Sequence, residues 1–259
     1  MSESPEEQLR DRVAVITGGG RGIGRQIAAG LAARGARVAL LARSENELAA
    51  AVAAIRASGG VATAIVADVR DSAVVARAVN RVRSELGPPV VLVNNAAVVA
   101  PLGPTATLDP ATVAMSVAVN VVAPIALATI VLPDMLAAKW GRIVNVSSGI
   151  AATPAAMPGM TVYAASKAAL EAHTLNLAAE LEGTGVTVNV YRPGAVDTAM
   201  QQWIRDQPAA QIGASLHARF MAMQASGHLL TPEQSARSLL NRIASPQSGQ
   251  IWSADDPLR

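Results

Sequence analysis

Two serines, a tyrosine and a lysine are the residues of this chain whose types and spacing best suit catalysis: Ser147-Ser148, then Tyr163 and Lys167 in a Tyr-x-x-x-Lys pattern. On a helix, residues four apart share one face, a turn apart. An ammonium fixed beside a phenol favours the phenolate, so the pairing predicts a lowered tyrosine pKa. Tyr163 could then give or take a proton near neutral pH. A serine hydroxyl at a nearby strand end could bind the same substrate oxygen.

The elements that must position these groups can be read from hydrophobic runs. Val13 to Ile16 is a short apolar run, read as a buried strand, and it leads into Thr17-Gly18-Gly19-Gly20-Arg21-Gly22-Ile23-Gly24. Ile23, Ile27 and Leu31 then recur at helical spacing. Glycines between a strand and a helix allow a tight turn, and they let backbone N–H groups approach a pyrophosphate at the helix start. The next strand, from Arg37 to Leu41, ends in Ala42-Arg43-Ser44. In a dinucleotide fold this strand end faces the adenosine ribose, where a carboxylate suits the 2′-hydroxyl of NAD and an arginine suits a 2′-phosphate. Arg43, with Arg21 as a second guanidinium, therefore predicts NADP(H). Ser44 and Glu47 read as a capping box. Strands at 61–66 and 90–93 alternate with a helix at 71–86, which predicts a parallel sheet with right-handed crossovers. Ligand groups gather at the carboxyl ends of such strands. Asp68 there could bond the adenine edge, and Asn94-Asn95-Ala96-Ala97 could bridge strands or border the cofactor.

Composition narrows the classes of function. The 259 residues are 51% hydrophobic and only 15% charged, with a net charge of +2 and no basic run, so nucleic acid is a poor expectation. The absence of cysteine excludes disulfides, thiolate nucleophiles and Cys metal sites. His173, His217 and His228 lack metal-like spacing, and no metal is expected. The polar, acidic start is not a signal peptide, so a cytoplasmic protein with a disordered segment over 1–10 is expected. The stretch from Pro110 to Pro133 carries no charge and is long enough to raise a membrane helix. Pro124, Asn120, Ser116 and two threonines interrupt it, and no membrane span is expected.

Taken together, these motifs resemble the short-chain dehydrogenase/reductase family, in the shorter branch that includes the bacterial 3-oxoacyl-carrier-protein reductases. The resemblance covers residues 11–198 and, more loosely, the tail. It rests on the glycine motif, Asp68-Val69, Asn94-Asn95-Ala96-Ala97, Asn120, Ser148, Tyr163/Lys167 and Pro193-Gly194. It implies one doubly wound α/β domain of the Rossmann type over 11–259, with a seven-stranded parallel sheet and helices on both faces. It also implies a catalytic set of Asn120, Ser148, Tyr163 and Lys167. The implied cofactor contacts are Gly18, Arg21, Gly22, Ile23, Gly24, Arg43, Asp68, Val69, Asn95, Ala96, Tyr163, Lys167, Pro193, Gly194, Val196 and Thr198. By the same resemblance Pro193-Gly194 runs under the nicotinamide, and Lys167 holds its ribose. Asn120, with a local kink and a bound water, would relay protons to Lys167.

The expected activity is reduction of a ketone to a secondary alcohol, or its reverse, with NADP(H). An NAD-dependent alcohol or hydroxysteroid-type dehydrogenase is the alternative within the family, and a silent nucleotide sensor is the alternative of another class. The segment after Ser148 is longer than in many relatives and is expected to bulge over the pocket, with Ile150, Met157 and Met160 either lining an apolar substrate site or packing. Residues 199–230, rich in Met, Gln and Ala, are expected to be an irregular, mobile lid. The family packs the 110–136 helix and the Tyr163 helix at a subunit interface, which implies a homodimer or homotetramer. The ending lacks the family's Asp-Gly-Gly tail that makes tetramer contacts.

Overall fold

The computed structural model describes residues 5–256. Seven strands form one parallel sheet in the order β3-β2-β1-β4-β5-β6-β7: β1 Val13–Thr17, β2 Arg37–Ala42, β3 Val61–Val66, β4 Pro89–Asn94, β5 Gly141–Val146, β6 Val186–Arg192 and β7 Ile251–Ser253. The helices of the first half are α1 Pro5–Leu9, α2 Gly22–Ala33, α3 Glu45–Ala57 and α4 Ser72–Glu85. Then come α5 Pro110–Val117, a π-helical segment Ala118–Val122, and α6 Ala123–Ala137. The second half adds α7 Thr161–Glu180, α8 Ala199–Arg205, α9 Ala209–Ile212, α10 Ala214–Ala225 and α11 Pro232–Leu240.

The strands read as unbroken apolar runs because both faces are covered. In β1, Val13 and Val15 join one buried cluster, with Leu127 and Val131 of α6, while Ala14 and Ile16 join the other, with Ile27 and Leu31 of α2. That period of two is the pleat itself. From β1 the chain winds outward through β2 to β3, then crosses back to build β4 on the other side of β1. The point of reversal leaves a crevice at the carboxyl ends of β1 and β4, where ligands of such sheets bind.

Three helices start where side-chain caps predict. Asp71 caps α4 through Ala73 and Val74, Asp109 caps α5 through Ala111 and Thr112, and Thr231 with Gln234 forms a full capping box on α11. At α3 the box is half-formed. Ser44 Oγ accepts from Glu47 N–H at 3.3 Å, but the Glu47 carboxylate turns to Arg21 instead of the cap backbone.

Several expectations need correction. Residues 5–9 form a short helix and Leu9 is fully buried; residues 1–4 lie outside the described residues, as do 257–259 at the end of the tail. The lid region is not irregular, since three helices fill most of 199–225. The loop after Ser148 folds as two short 3-10 turns, Gly149–Ala151 and Pro154–Ala156. The run Pro110–Ala137 is long and apolar enough to cross a membrane by length and composition, with a mean hydropathy of 2.2 in its most apolar window. Here α6 lays one face on the sheet, burying Leu127, Ala128, Val131 and Met135. Val122 and Ile125 are exposed on this helical run, as is Leu175 on α7.

Candidate active site

A cleft of about 630 Å³ opens at the carboxyl ends of the strands. Its floor is the glycine turn. Gly18 has φ +64 and Gly22 φ +53, both in the left-handed region that favours glycine. A Cβ on Gly24 would collide with Asn95 Nδ2 and with the carbonyl of Gly18. Asn95 explains this tight fit. Its Nδ2 donates to the Thr17 carbonyl at 2.9 Å, while the N–H groups of Asn95 and Ala96 both donate to Thr17 Oγ1 at 3.0 Å. So β4 fastens the turn that follows β1. Arg21, the residue before α2, is extended and offers no side-chain cap, which leaves the first N–H groups of α2 turned to the cleft side. A helix start without a cap, on a turn too tight for side chains, fits a pyrophosphate.

The far end of the cleft holds arginines. Arg21, Arg43 and Arg70 all line it, together with Glu47 and Asp68. Both carboxylates are engaged: Glu47 pairs with Arg21 at 3.2 Å and Asp68 with Arg70 at 2.6 Å. The bonds from Arg70 hold the Asp68 carboxyl below its usual pKa. Arg43 enters no ion pair among the described residues, and its charge also acts on Asp68. Ile23, Val69, Asn95 and Ala96 line the walls.

At the other end, α7 carries Tyr163 and Lys167 into the cleft, and both are buried. Lys167 Nζ donates to the Val146 carbonyl at 2.7 Å, at the end of β5, and lies 5.7 Å from the Tyr163 ring centre. Ser148 follows that strand end, and its hydroxyl draws the Tyr163 pKa down. The expected lowering of the tyrosine pKa is not what the protein alone produces. Burial pushes Tyr163 up to about 12, and the Ser148 hydroxyl only partly opposes it. Burial also pushes Lys167 down to about 8, against the pull of Glu171. Desolvation penalises both charged forms, and here it outweighs their attraction.

Asn120 sits in the π-helical segment and is fully buried. Protein groups bond its side chain there. Nδ2 donates to the Val98 carbonyl at 2.8 Å and to Ser166 Oγ at 3.1 Å, and Oδ1 accepts from Val98 N–H at 2.9 Å. Asn120 thus ties α7 to the loop after β4, one layer behind the cleft.

Pro193 and Thr198 line the cleft. Gly194, Gly24 and Val196 do not: Gly194 makes the turn with φ +76, Gly24 lies behind the glycine loop, and Val196 is buried in a bridge to Leu230. Of the two readings for Ile150 and Met160, the structure shows packing. Both are buried with Ile204, Ile212, Leu216 and Phe220 beneath α8 to α10, and Met157 packs against that cluster. Val98, Met115, Val119 and Met200 stand at the cleft instead. Sequence reasoning also missed Arg70 and the buried carboxylate Glu171. The signal for Glu171 was its position one turn beyond Lys167.

The fold and this site define a dinucleotide-dependent oxidoreductase acting on CH–OH or C=O groups. The family model described as "short chain dehydrogenase" matches residues 12–209, and the chain belongs to that family. The 3-oxoacyl-[acyl-carrier-protein] reductase of Pseudomonas aeruginosa is 36% identical over 215 residues, covering 80% of this chain and 82% of that protein. A short chain dehydrogenase of Pseudocercospora fijiensis is 40% identical over 196 residues, or 74% of this chain, which spans 62% of that longer protein. Among solved structures, a protein assigned as an NAD(P)-dependent gluconate 5-dehydrogenase of Beutenbergia cavernae, with bound NADP, is 32% identical. It superposes with a TM-score of 0.84, covering 97% of this chain and 98% of that one. A xylitol dehydrogenase with bound NAD+ is 25% identical, with a TM-score of 0.83 over 95% and 98% of the two chains.

Proposed function

We propose that this protein is an NADP(H)-dependent ketoreductase that converts a ketone to a secondary alcohol. The observation that carries the reading is Tyr163: buried in the cleft beside Lys167 and held at about 12, it keeps its proton at neutral pH, which suits a proton donor in reduction. The carbonyl reductase among its relatives supports the same direction.

When bound, NADP(H) supplies the hydride. The glycine turn of 18–24 and the open start of α2 would hold its pyrophosphate, while Arg43 and Arg21 would face the 2′-phosphate. Asp68, Val69, Asn95 and Ala96 would border the adenosine, and Pro193, Gly194, Val196 and Thr198 would form the turn beneath the nicotinamide. Tyr163 gives its proton to the substrate oxygen as charge develops there. Ser148 donates a hydrogen bond to that oxygen, as an oxyanion donor does. Lys167, charged at neutral pH, steadies the tyrosine and holds the ribose. Asn120 fixes α7 against the loop after β4 and borders the route for protons toward Lys167.

The apolar wall of Val98, Met115, Val119 and Met200 supports an apolar or medium-sized carbonyl compound: a keto ester, an acyl thioester or a cyclic ketone. The test is oxidation of NADPH, followed by the loss of reduced-nicotinamide absorbance, against a panel of ketones, aldehydes, β-keto esters and acyl thioesters, with NADH in parallel. Carbonyl-dependent oxidation that is faster with NADPH is the expected result. Turnover only of alcohols with NAD+ overturns the reading in favour of an oxidative dehydrogenase.

A further inference from the structure

Beneath the proposed catalytic groups lies a buried ionic centre that the mechanism above does not use. Glu171 follows Lys167 by one turn of α7 and is 7% exposed. Its Oε1 accepts from Ser147 Oγ at 2.7 Å and from Arg192 Nε at 2.9 Å, and its Oε2 accepts from Arg192 Nη2 at 2.7 Å. Each partner adjoins a site residue. Ser147 precedes Ser148, Arg192 precedes Pro193-Gly194, and Val146, which accepts from Lys167, precedes Ser147.

We propose that Glu171 is a positioning residue for this site, joining the strand end with Ser148, the helix with Tyr163 and Lys167, and the Pro193-Gly194 turn, and setting the charge state of Lys167. This rests on the ketoreductase reading. The geometric half follows from the bonds. Three separate elements meet on one carboxylate, and a two-pronged arginine bond fixes both the distance and the angle between α7 and β6. The electrostatic half follows from burial. Lys167 is 2% exposed, so neighbouring charges act on it with little screening.

The charged and titratable groups facing Lys167 are few among the described residues. Its own helix presents Tyr163 and Glu171; Arg192, at the end of β6, meets this centre through its bonds to Glu171 and in turn feels Asp256. The end of β5 offers only the Val146 carbonyl and the hydroxyls of Ser147 and Ser148, and the π-helical segment offers uncharged Asn120. Glu171 therefore raises the Lys167 pKa against desolvation, and Arg192 sits on that same carboxylate as its counter-charge.

Two variants that break the same ion pair should move Lys167 in opposite directions. Glu171→Gln removes the negative charge, so Lys167 should lose its proton at lower pH. Arg192→Gln uncovers the carboxylate, so Lys167 should keep its proton to higher pH. Shifts of roughly one pH unit are expected for charges this close.

The chain has only two lysines, Lys139 and Lys167, so ¹³Cε-lysine NMR of the full-length protein resolves the titration of each, with Lys139 as internal control. The alkaline limb of kcat for carbonyl reduction should follow the Lys167 midpoint in both variants, and Arg192→Lys should restore it toward the wild type. Midpoints that stay fixed, or move the same way in both variants, overturn the proposal and leave the pair a plain structural tie. If Glu171→Gln does not fold, the contrast between Arg192→Gln and Arg192→Lys decides. If the wild type reduces no carbonyl, the functional reading fails, while the NMR midpoints still decide this one.

Discussion

The two ends of the cleft are built in opposite ways. At the arginine end, the groups sit on loops and helix starts, and their ion pairs face solvent. Arg21 and Glu47 have side chains 64% and 37% exposed. At the tyrosine end, Tyr163, Lys167, Ser147 and Glu171 are buried, and Lys167 is fixed to the end of β5 while Glu171 is fixed to β6. Solvent screening makes the first end cheap to alter and weak in its internal bonds. Desolvation makes the second end sensitive to any single change. Cofactor preference can therefore drift at one end while the chemistry at the other end stays constrained.

Variants at each end test this contrast. The largest effect is expected for Tyr163→Phe, which removes the proton donor and little volume. Carbonyl reduction should fall by about 10²- to 10⁴-fold with the melting curve unchanged; residual activity near the wild type would remove Tyr163 from the chemistry.

Next comes Lys167→Met, read as stability against pH. The folded pKa of Lys167, about 8, lies below the ordinary lysine value of 10.5, so between these values the unfolded chain binds more protons. Unfolding free energy from this group therefore rises as pH climbs from about 8 toward 10.5, by on the order of 3 kcal/mol if the whole shift is realised. The rise of the Tyr163 phenol to about 12 works the other way above pH 10, because there the folded form holds the extra proton. Urea unfolding at pH 7 to 10 should show a rise in the wild type that Lys167→Met lacks. Parallel profiles would mean that Lys167 titrates near its ordinary value.

Arg43→Asp should shift preference from NADPH toward NADH by about ten- to a hundredfold in kcat/KM, the worth of a hydrogen bond to a charged group. An unchanged ratio would relocate the 2′-phosphate contact. The smallest effect is expected for Arg21→Ala on stability. Its exposed pair with Glu47 should contribute less than about 1 kcal/mol, and a larger loss in thermal unfolding would contradict the exposed-end picture.

Much of the fold was legible because both faces of the sheet are covered. Strands such as Val38–Leu41 are unbroken apolar runs, and glycine or polar residues mark where each one ends. The lid was misread for the same reason in reverse. Its helices α8 to α10 bury only a few residues, such as Ile204, Leu216 and Phe220, so the apolar period is too sparse to announce a helix. Met160 and Ile150 stayed open between pocket wall and packing because an apolar residue in a loop reads alike whether it faces a ligand or a covering helix.

The sequence by itself determined the order of the strands' partners in chemistry: the glycine turn after the first strand, the serine at the end of β5, and Tyr163 with Lys167 on one helical face. These are local facts, set by periodicity and by residues a few positions apart. Only the tertiary structure decided which charges meet. Glu171 and Arg192 are far apart in the chain and join because α7 lies against β6; Arg70 turns back on Asp68; Asn120 spends its amide on Val98 and Ser166. The direction of the tyrosine's pKa shift was decided there too, since burial is a property of the whole packed molecule and no motif encodes how much water it excludes.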